Sequence, residues 1–182
     1  SVPGIQFNLV PSGGTVLSDV ILTDCNSSAA LTVVNGADGG NNSANVSFVT
    51  VTPGETVTWS GAASAAWHDA ANWSGGRAPV PTDNVVIPAN ASHPPAFQFD
   101  VTLASLTVNA GASLDLADKV LTLTGDLTVA GTIDADDATL VLNGTAKQTV
   151  NANGAKFRLI RAENSAIDFV SAIAAGGAFI AE

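Results

Sequence analysis

Acidic side chains are densest near residue 135, where Asp134, Asp136 and Asp137 lie within four positions of one another. On a strand, Asp134 and Asp136 would share a face, an arrangement that permits paired-carboxylate chemistry on a polysaccharide. Carboxylate oxygens are also the ligands that calcium prefers. We favour a plain polar corner between Ile133 and Leu140, because no Lys or Arg lies close in sequence to serve as a base. The expectation is therefore no cofactor, with calcium as the alternative.

A second chemically distinctive group surrounds Trp67 and Trp73, which lie six positions apart around a polar bend. Two indole rings at this spacing can cover the open end of a stack of strands, while Asn72 and Asp83 satisfy the amides of the turns. The alternative is a platform on which a glycan stacks, with contacts from the same four residues. We favour the cap, because burial is the commoner fate of Trp in a chain with only 5% aromatic residues.

Cysteine and histidine are too scarce for a Cys-rich zinc site or an internal disulfide. The chain holds one cysteine, Cys25, and two histidines, His68 and His93. We expect Cys25 to be buried as a small apolar residue and His68 to lie in a surface turn. With no catalytic constellation stronger than the aspartate cluster, the sequence predicts a protein that is not an enzyme.

The overall composition excludes several classes of partner. Among 182 residues, six Lys and Arg stand against sixteen Asp and Glu, giving a formal charge of −10, and no basic residue precedes Arg77. Nucleic acids and anionic membranes both need a basic footprint, so neither is expected. No apolar run approaches the roughly 20 residues that span a bilayer, which argues against membrane insertion. Because the chain does not begin with Met, we expect a processed or excised polypeptide.

The elements that must position these residues are short strands. Helical periodicity is nearly absent, and apolar residues recur two apart between small turn residues. Leu106 recurs as Leu127, and Leu121 as Leu140, a repeat of roughly 20 residues that fits one coil of a three-sided, right-handed parallel β-helix. The inward-facing pairs predicted by this pattern are Leu106 and Val108, Leu114 and Leu116, Leu121 and Leu123, Leu127 and Val129, Leu140 and Leu142, and Phe157 and Leu159.

Composition divides the chain into four regions. Residues 1–60 read as a small N-terminal β-domain or β-cap, either sandwich-like or the first coils, and 61–83 as a Trp-containing linker or cap. The β-solenoid covers 84–165, and 166–182 form a C-terminal cap or a pairing strand. Near the start, Ile5, Phe7 and Leu9 alternate with polar residues, so this strand is a candidate for pairing with another subunit.

The segment from Trp67 to Pro88 resembles one found in large bacterial secreted and surface proteins, where it precedes β-helical repeats. The pattern is W-x4-N-W-x2-G-x2-P followed by an Asp and a Val/Ile strand, and its matching residues are Trp67, Asn72, Trp73, Gly76, Pro79, Asp83, Val85, Ile87 and Pro88. The resemblance covers roughly residues 65–150. It implies a secreted or cell-surface β-solenoid of the adhesin or autotransporter-passenger type, and it carries no catalytic residues across.

These observations predict a non-enzymatic structural protein of a bacterial surface: a fibre or filament subunit, a stalk or an adhesin module. Four of the six basic residues lie near the C-terminal end, and every charged residue ahead of Arg77 is acidic. This asymmetry favours head-to-tail self-assembly, so the expected partners are copies of the chain, neighbouring domains of a larger surface protein, or glycans. The first alternative is a carbohydrate-binding module using Trp67 and Trp73, and the second is a β-helical enzyme acting on polysaccharide.

Overall fold

A computed structural model describes residues 7–10, 16–18, 20–29 and 31–181. The fold is all-β, with 47% strand and 2% helix, and its parallel stacked coils form a β-solenoid of about nine turns. The prediction of an all-β parallel β-helix is therefore confirmed. By its internal contacts the chain divides into two compact units, Ser1–Thr52 (unit 1) and Pro53–Glu182 (unit 2).

Unit 1 is built from short strands, each paired in parallel with a strand one coil further along. Its described strands are β1 (Phe7–Leu9), β2 (Val16–Ser18), β3 (Ile21–Thr23), β4 (Cys25–Ser27), β5 (Leu31–Val34), β6 (Ala37–Gly40) and β7 (Val46–Val49). β1 pairs with β4, β3 pairs with β6, and β5 lies between β2 and β7. Each coil uses a short stretch of chain, as the pairing of Phe7 in β1 with Cys25 in β4 shows. Of the two readings of this region, the described strands have the geometry of first coils.

Unit 2 holds the longer coils. Its strands are β8 (Thr56–Thr58), β9 (Asn84–Ile87), β10 (Val101–Leu103), β11 (Ser105–Val108), β12 (Ser113–Asp115), β13 (Val120–Leu123), β14 (Leu127–Val129), β15 (Thr132–Asp134), β16 (Thr139–Leu142), β17 (Gln148–Asn151), β18 (Lys156–Ala162), β19 (Ile167–Phe169) and β20 (Ala174–Ala181). They form three parallel sheets, ordered β8-β9-β11-β14-β17-β19, β10-β13-β16-β18-β20 and β12-β15. The coils that contain β12 and β15 contribute a strand to all three sheets, and the other described coils contribute to the two larger sheets.

The repeat length predicted from the sequence agrees with the register of the paired strands. Leu106 pairs with Leu127, and Leu121 pairs with Leu140, so both predicted repeats join residues on neighbouring coils. Alternation along each strand sends one residue inward and the next outward. Stacked inward residues then lie beside another aliphatic residue one coil away, which makes a continuous aliphatic core. The predicted inward pairs are buried except Leu159, which is half-buried.

Small residues at the coil corners let the backbone of one coil approach the next. A Cβ at Gly125 would lie 2.6 Å from the carbonyl oxygen of Ala104, one coil earlier, and at Gly131 or Gly144 the clash would be closer still. Another corner, Asn153-Gly154, uses positive φ at both residues (49° and 80°). Glycine is therefore needed for close approach at some corners and for backbone conformation at others.

The Trp-containing segment lies inside a coil. β8 precedes the segment and β9 follows it, and the two strands pair in parallel with Thr56 opposite Asn84. The first coil of unit 2 is thus longer than the coils after it and includes the segment as an insertion. The boundary between the units falls between Thr52 and Pro53, ahead of the predicted boundary at residue 60.

Helical structure is confined to one short turn of 3-10 helix, Ala70–Asn72, within the described ranges. None of the helices in the part of the chain that the structure describes has the length and apolar character needed to cross a membrane.

Candidate functional site

Three tryptophans meet at the first coil of unit 2. The Trp67 and Trp73 rings lie edge to face with centroids 4.6 Å apart, and Trp59 stacks on Trp67 at 6.3 Å and meets Trp73 edge-on at 4.9 Å. Phe97 adds a fourth ring, 4.6 Å from Trp67. No indole is more than 4% exposed. The cluster is therefore a local hydrophobic core, which packs on the aliphatic column of the coils.

Two of the three indole N–H groups donate hydrogen bonds within the chain. The indole Nε1 of Trp59 donates to the carbonyl of His93 at 2.8 Å, and that of Trp73 donates to the carbonyl of Trp67 at 2.6 Å. Trp59 and Trp73 also form an antiparallel bridge between their backbones. Because a sugar-binding indole needs an exposed ring face, this arrangement does not provide a stacking platform.

Asn72 organises the backbone around the rings. Its side chain is fully buried, and its Oδ1 accepts hydrogen bonds from the amides of Ala63 (2.8 Å) and Ser64 (2.9 Å). Its Nδ2 donates to the Ser64 hydroxyl and to the Ala66 carbonyl. All four hydrogen-bonding positions of the amide are thus used, so Asn72 has a structural role.

Asp83 stabilises the same loop through an ion pair and a backbone hydrogen bond. Its carboxylate is fully buried and accepts from the Val80 amide at 2.8 Å and from both terminal nitrogens of Arg77. Arg77 also reaches Glu55 at 2.6 Å, ahead of β8. The hydrogen bond with Asp83 is the main reason that the pKa of Arg77 rises above its ordinary value, so the guanidinium stays charged. This network joins both ends of the inserted segment.

All four predicted Trp-segment residues are buried in the first coil of unit 2. Trp67 and Trp73 are in direct contact, whereas Asp83 is bonded to Arg77 and Val80. The burial of Trp67, Asn72, Trp73 and Asp83 argues against the proposed glycan contact, because no ring face is exposed. The polar side-chain atoms of Asn72, Trp73 and Asp83 are also bonded within the chain. Trp59 and Arg77 were missed. The alternation of Val57 with Trp59 in a strand candidate was the available signal for Trp59.

The three aspartates of the predicted cluster are exposed. Asp134 ends β15, whereas Asp136 and Asp137 occupy the following turn, and Asp136 lies 3.7 Å from the amine of Lys156. Among the described residues, no three His, Cys, Asp or Glu side chains form a group that could hold a metal ion. The geometry of the described residues gives the calcium hypothesis no support, and it stays a prediction. Asp136 lies in this turn and not on the strand face that it was predicted to share with Asp134.

A shallow, open groove of about 420 Å³ lies beside this cluster. Asp115 and Asp134, partners in the β12–β15 ladder, line it with Asp136, Pro94 and Pro95. Asp115 accepts a hydrogen bond from the Ala117 amide at 2.7 Å, which anchors its own turn. The groove thus presents stacked carboxylates to solvent without a basic side chain in its lining.

A protein-family model described as a domain of unknown function, DUF8693, matches residues 58–172, which is more than half of the chain. The chain belongs to this family. No curated protein and no solved structure matched in the other two comparisons. The DUF8693 match begins at the end of β8 and includes the Trp cluster and the stacked coils up to β19.

Unit 1 and β20 lie outside the DUF8693 match, and both carry candidate pairing strands. Phe7–Leu9 is already paired on one side, with Cys25–Ser27 of the same chain. Ile5 lies outside the described residues. Residues 166–182 contain β19 and β20, so the described part of this region continues the coils rather than folding across them as a separate cap.

Proposed function

We propose that this chain is a non-enzymatic structural module of an extracellular bacterial protein, acting at the cell surface as a fibre subunit, a stalk or part of an adhesin. The observation that carries the proposal is that the Trp-segment side chains contact other parts of the same coil. The three indoles pack on one another, and those of Trp59 and Trp73 donate to backbone carbonyls. Asn72, Asp83 and Arg77 are bonded to nearby backbone or to one another. They therefore hold the first long coil in shape, and the described contacts leave them no part in binding a ligand.

The stacked coils supply the mechanical property that such a role needs. In unit 2, each coil is joined to the next by parallel ladders on its sides and by the common aliphatic core. A coil cannot unfold without exposing its neighbours, so loss of one coil is opposed by two interfaces. Outward positions such as Thr107 and Thr128 are polar and uncharged, which gives an inert, soluble surface.

Charge and resemblance support a location outside the cell. A formal charge of −10 with few basic residues suits a protein exposed to solvent and repelled by nucleic acid and anionic lipid. The Trp-segment resemblance to bacterial surface proteins points the same way. The alternatives have less support, because the indoles are buried and the three aspartates do not form a cluster that binds metal.

Surface labelling of the producing bacterium tests the location. An antibody raised against the chain is expected to bind intact cells or the culture supernatant, and brief protease treatment of intact cells should remove the cell-bound signal. A cytoplasmic protein measured in parallel controls for lysis. Detection of the chain only after lysis would contradict an extracellular role.

Replacement of the coils tests whether the role is structural. Residues 53–182 are exchanged in the producing cell for an unrelated β-solenoid with the same number of coils. A mechanical spacer predicts that surface display and the associated phenotype persist. If the phenotype disappears and returns only with the original coils, a binding or catalytic activity specific to this chain must replace the structural proposal.

A further inference from the structure

We propose that a groove between the two larger sheets of unit 2 binds an extended, uncharged, β-linked glycan through side-chain hydroxyls. This open groove of about 490 Å³, which we name the corner groove, is lined by the hydroxyls of Ser105, Thr107, Thr124 and Thr128 together with small and polar residues. The inference supplies a ligand for the adhesin form of the proposed function and rests on that form.

The corner groove follows the axis of the coils, because its residues lie at the same corner of successive turns. Ala104, Gly125 and Ala146 connect the sheet of β10, β13 and β16 to the sheet of β11, β14 and β17. At Gly125 a side chain is excluded, because a Cβ would lie 2.6 Å from the Ala104 carbonyl oxygen. Neighbouring strands lie about 4.8 Å apart, so contacts from β9 to β17 extend over about 14 Å. This length suits a stretch of a straight polymer better than a single small molecule.

Hydroxyl groups repeat from coil to coil along the corner groove. Thr107 of β11 pairs with Thr128 of β14, so their side chains lie side by side on the outer face of the sheet. In the part of the chain that the structure describes, the hydroxyls of Thr107, Thr124 and Thr128 have no hydrogen-bond partner, whereas that of Ser105 donates to Asn84. A hydroxyl can both donate and accept a hydrogen bond, which is what the hydroxyls of a sugar require.

The charges of the groove lining balance, which favours an uncharged ligand. Among the described lining residues there is one acid, Asp126, and one base, Lys147. Asp126 accepts a hydrogen bond from the Thr149 amide at 2.7 Å, and the Lys147 amine lies 3.1 Å from the Asp168 carboxylate. Both charges are therefore engaged within the chain. An apolar ligand is disfavoured as well, because within the described lining no aliphatic or aromatic side chain is larger than alanine.

A glycan is favoured over a peptide because the strands beside the corner groove are paired on both sides. β11 lies between β9 and β14, β13 lies between β10 and β16, and β14 lies between β11 and β17. A peptide that binds by adding a strand needs an unpaired strand edge, which these strands do not offer. An extended β-linked glycan needs only side-chain partners, and its hydroxyls recur along a straight chain as the threonines recur along the coils.

Isothermal titration calorimetry of the full chain with neutral oligosaccharides tests the inference. The probes are cellohexaose and chitohexaose, and the matching oligomer of galacturonic acid is their charged counterpart. The groove variant is Thr107→Val with Thr128→Val, which removes two hydroxyls but keeps the branched shape of the side chains. The control is Thr102→Val with Thr122→Val, an outward-facing pair on neighbouring strands of the other large sheet.

Saturable binding of at least one neutral probe is expected for wild type and control, with weaker binding of the galacturonate oligomer. The groove variant should bind the neutral probe at least about tenfold more weakly, because two hydrogen bonds to the ligand are lost. A second variant, Ala146→Leu, fills the corner groove without removing a hydroxyl and should weaken binding in the same way.

Three results would each overturn the inference: no saturable binding of either neutral probe, tighter binding of the galacturonate oligomer, or full affinity in a folded groove variant. Folding is checked by tryptophan fluorescence, and Ala146→Leu carries the test if the double threonine variant does not fold. A chain that labels the cell surface but binds neither probe would overturn this inference alone. A chain that binds a probe but is detected only after lysis would contradict the extracellular location alone.

Discussion

Arg77 and Asp83 form a bidentate ion pair in which the carboxylate is completely buried and the arginine side chain is 12% exposed. The two nitrogen–oxygen distances are 2.5 and 3.0 Å. A buried charge is tolerated only when it is paired and hydrogen-bonded, so Asp83 depends on Arg77 and on the Val80 amide. Removal of the Arg77 guanidinium should therefore destabilise this loop.

Arg77→Leu is expected to lower the free energy of unfolding by about 3 kcal/mol, because it leaves the Asp83 carboxylate buried without its counterion. Urea denaturation followed by tryptophan fluorescence measures the change, since the three indoles report on the same coil. Lys147→Leu is the control, because Lys147 forms an exposed pair with Asp168 and should cost less than about 1 kcal/mol. Equal losses in the two variants would contradict the importance of burial.

Gln148 provides a second test of buried polar contacts. Its amide is fully buried, with Nε2 bonded to the carbonyls of Leu123 and Gly125, and Oε1 bonded to the amide of Gly144 and the side chain of Asn164. It thus joins corners on three successive coils.

Gln148→Leu should cost about 3 kcal/mol in urea denaturation, because several buried backbone groups lose their partners. The same substitution at exposed Gln98, which also makes backbone hydrogen bonds, should cost less than about 1 kcal/mol. A Gln148 variant as stable as wild type would show that water can replace these bonds.

The coils of unit 2 could be predicted from the sequence because two periodicities coincide. Alternation by two selects the inward residues, and the coil-length repeat selects their partners, as with Leu121 and Leu140. The sequence did not predict correctly which side chains of the strand Lys156–Ala162 face the core. A register shift against β20 leaves Leu159 half-buried and puts Ile160 in the core.

The candidate site was harder to predict because it depends on closure of one long coil. Trp59 and Trp73 are far apart along the chain, and the two rings meet only because β8 and β9 pair around the inserted segment. At Asp134 and Asp136 the sequence predicted one continuous strand, but β15 ends at Asp134 and Asp136 lies in the turn that follows. Contacts that form only when a long coil closes cannot be recognised from the residues adjacent in the sequence.

Two corner glycines should respond differently to alanine. At Gly144 a Cβ would collide with the Thr124 carbonyl oxygen and lie 2.9 Å from Cδ of Gln148, whereas at Gly154 the surrounding space is open and only the positive φ of 80° resists a side chain. Thermal unfolding should show a loss of about 3 kcal/mol for Gly144→Ala, from displaced backbone. Gly154→Ala should lose about 1 kcal/mol, from left-handed strain alone. Reversal of this order would show that the coils can separate at the Gly144 corner.

Cys25 should be nearly inert in the folded chain. It is fully buried in β4, and burial raises the pKa of its thiol, so little thiolate forms at neutral pH. Reaction with a disulfide reagent is expected to be at least about a hundredfold slower in native protein than in urea. Thr128→Cys, on an exposed position of β14, supplies a matched reactive thiol. A native Cys25 that reacts as fast as this control would contradict its burial.

His68 should make the fold sensitive to mild acid. Its ring lies edge-on to Phe99 with centroids 5.1 Å apart, and its Nδ1 is buried without a hydrogen-bond partner among the described residues. Burial lowers the pKa of His68 below its ordinary value of 6.5. The folded protein therefore keeps the ring neutral, while the unfolded chain takes up a proton as the pH falls below about 6.5.

Because the unfolded state binds more protons in that range, stability should be fully present above about pH 6.5 and should decline as the pH falls below it. His68→Phe removes the titration and the unpaired nitrogen while keeping an aromatic ring against Phe99. Urea denaturation of both proteins at about pH 8 and about pH 5 should show wild type losing more stability than the variant. Carboxylates contribute equally to both proteins, so the difference isolates His68. Identical losses would mean that the ring becomes protonated in the folded state without penalty.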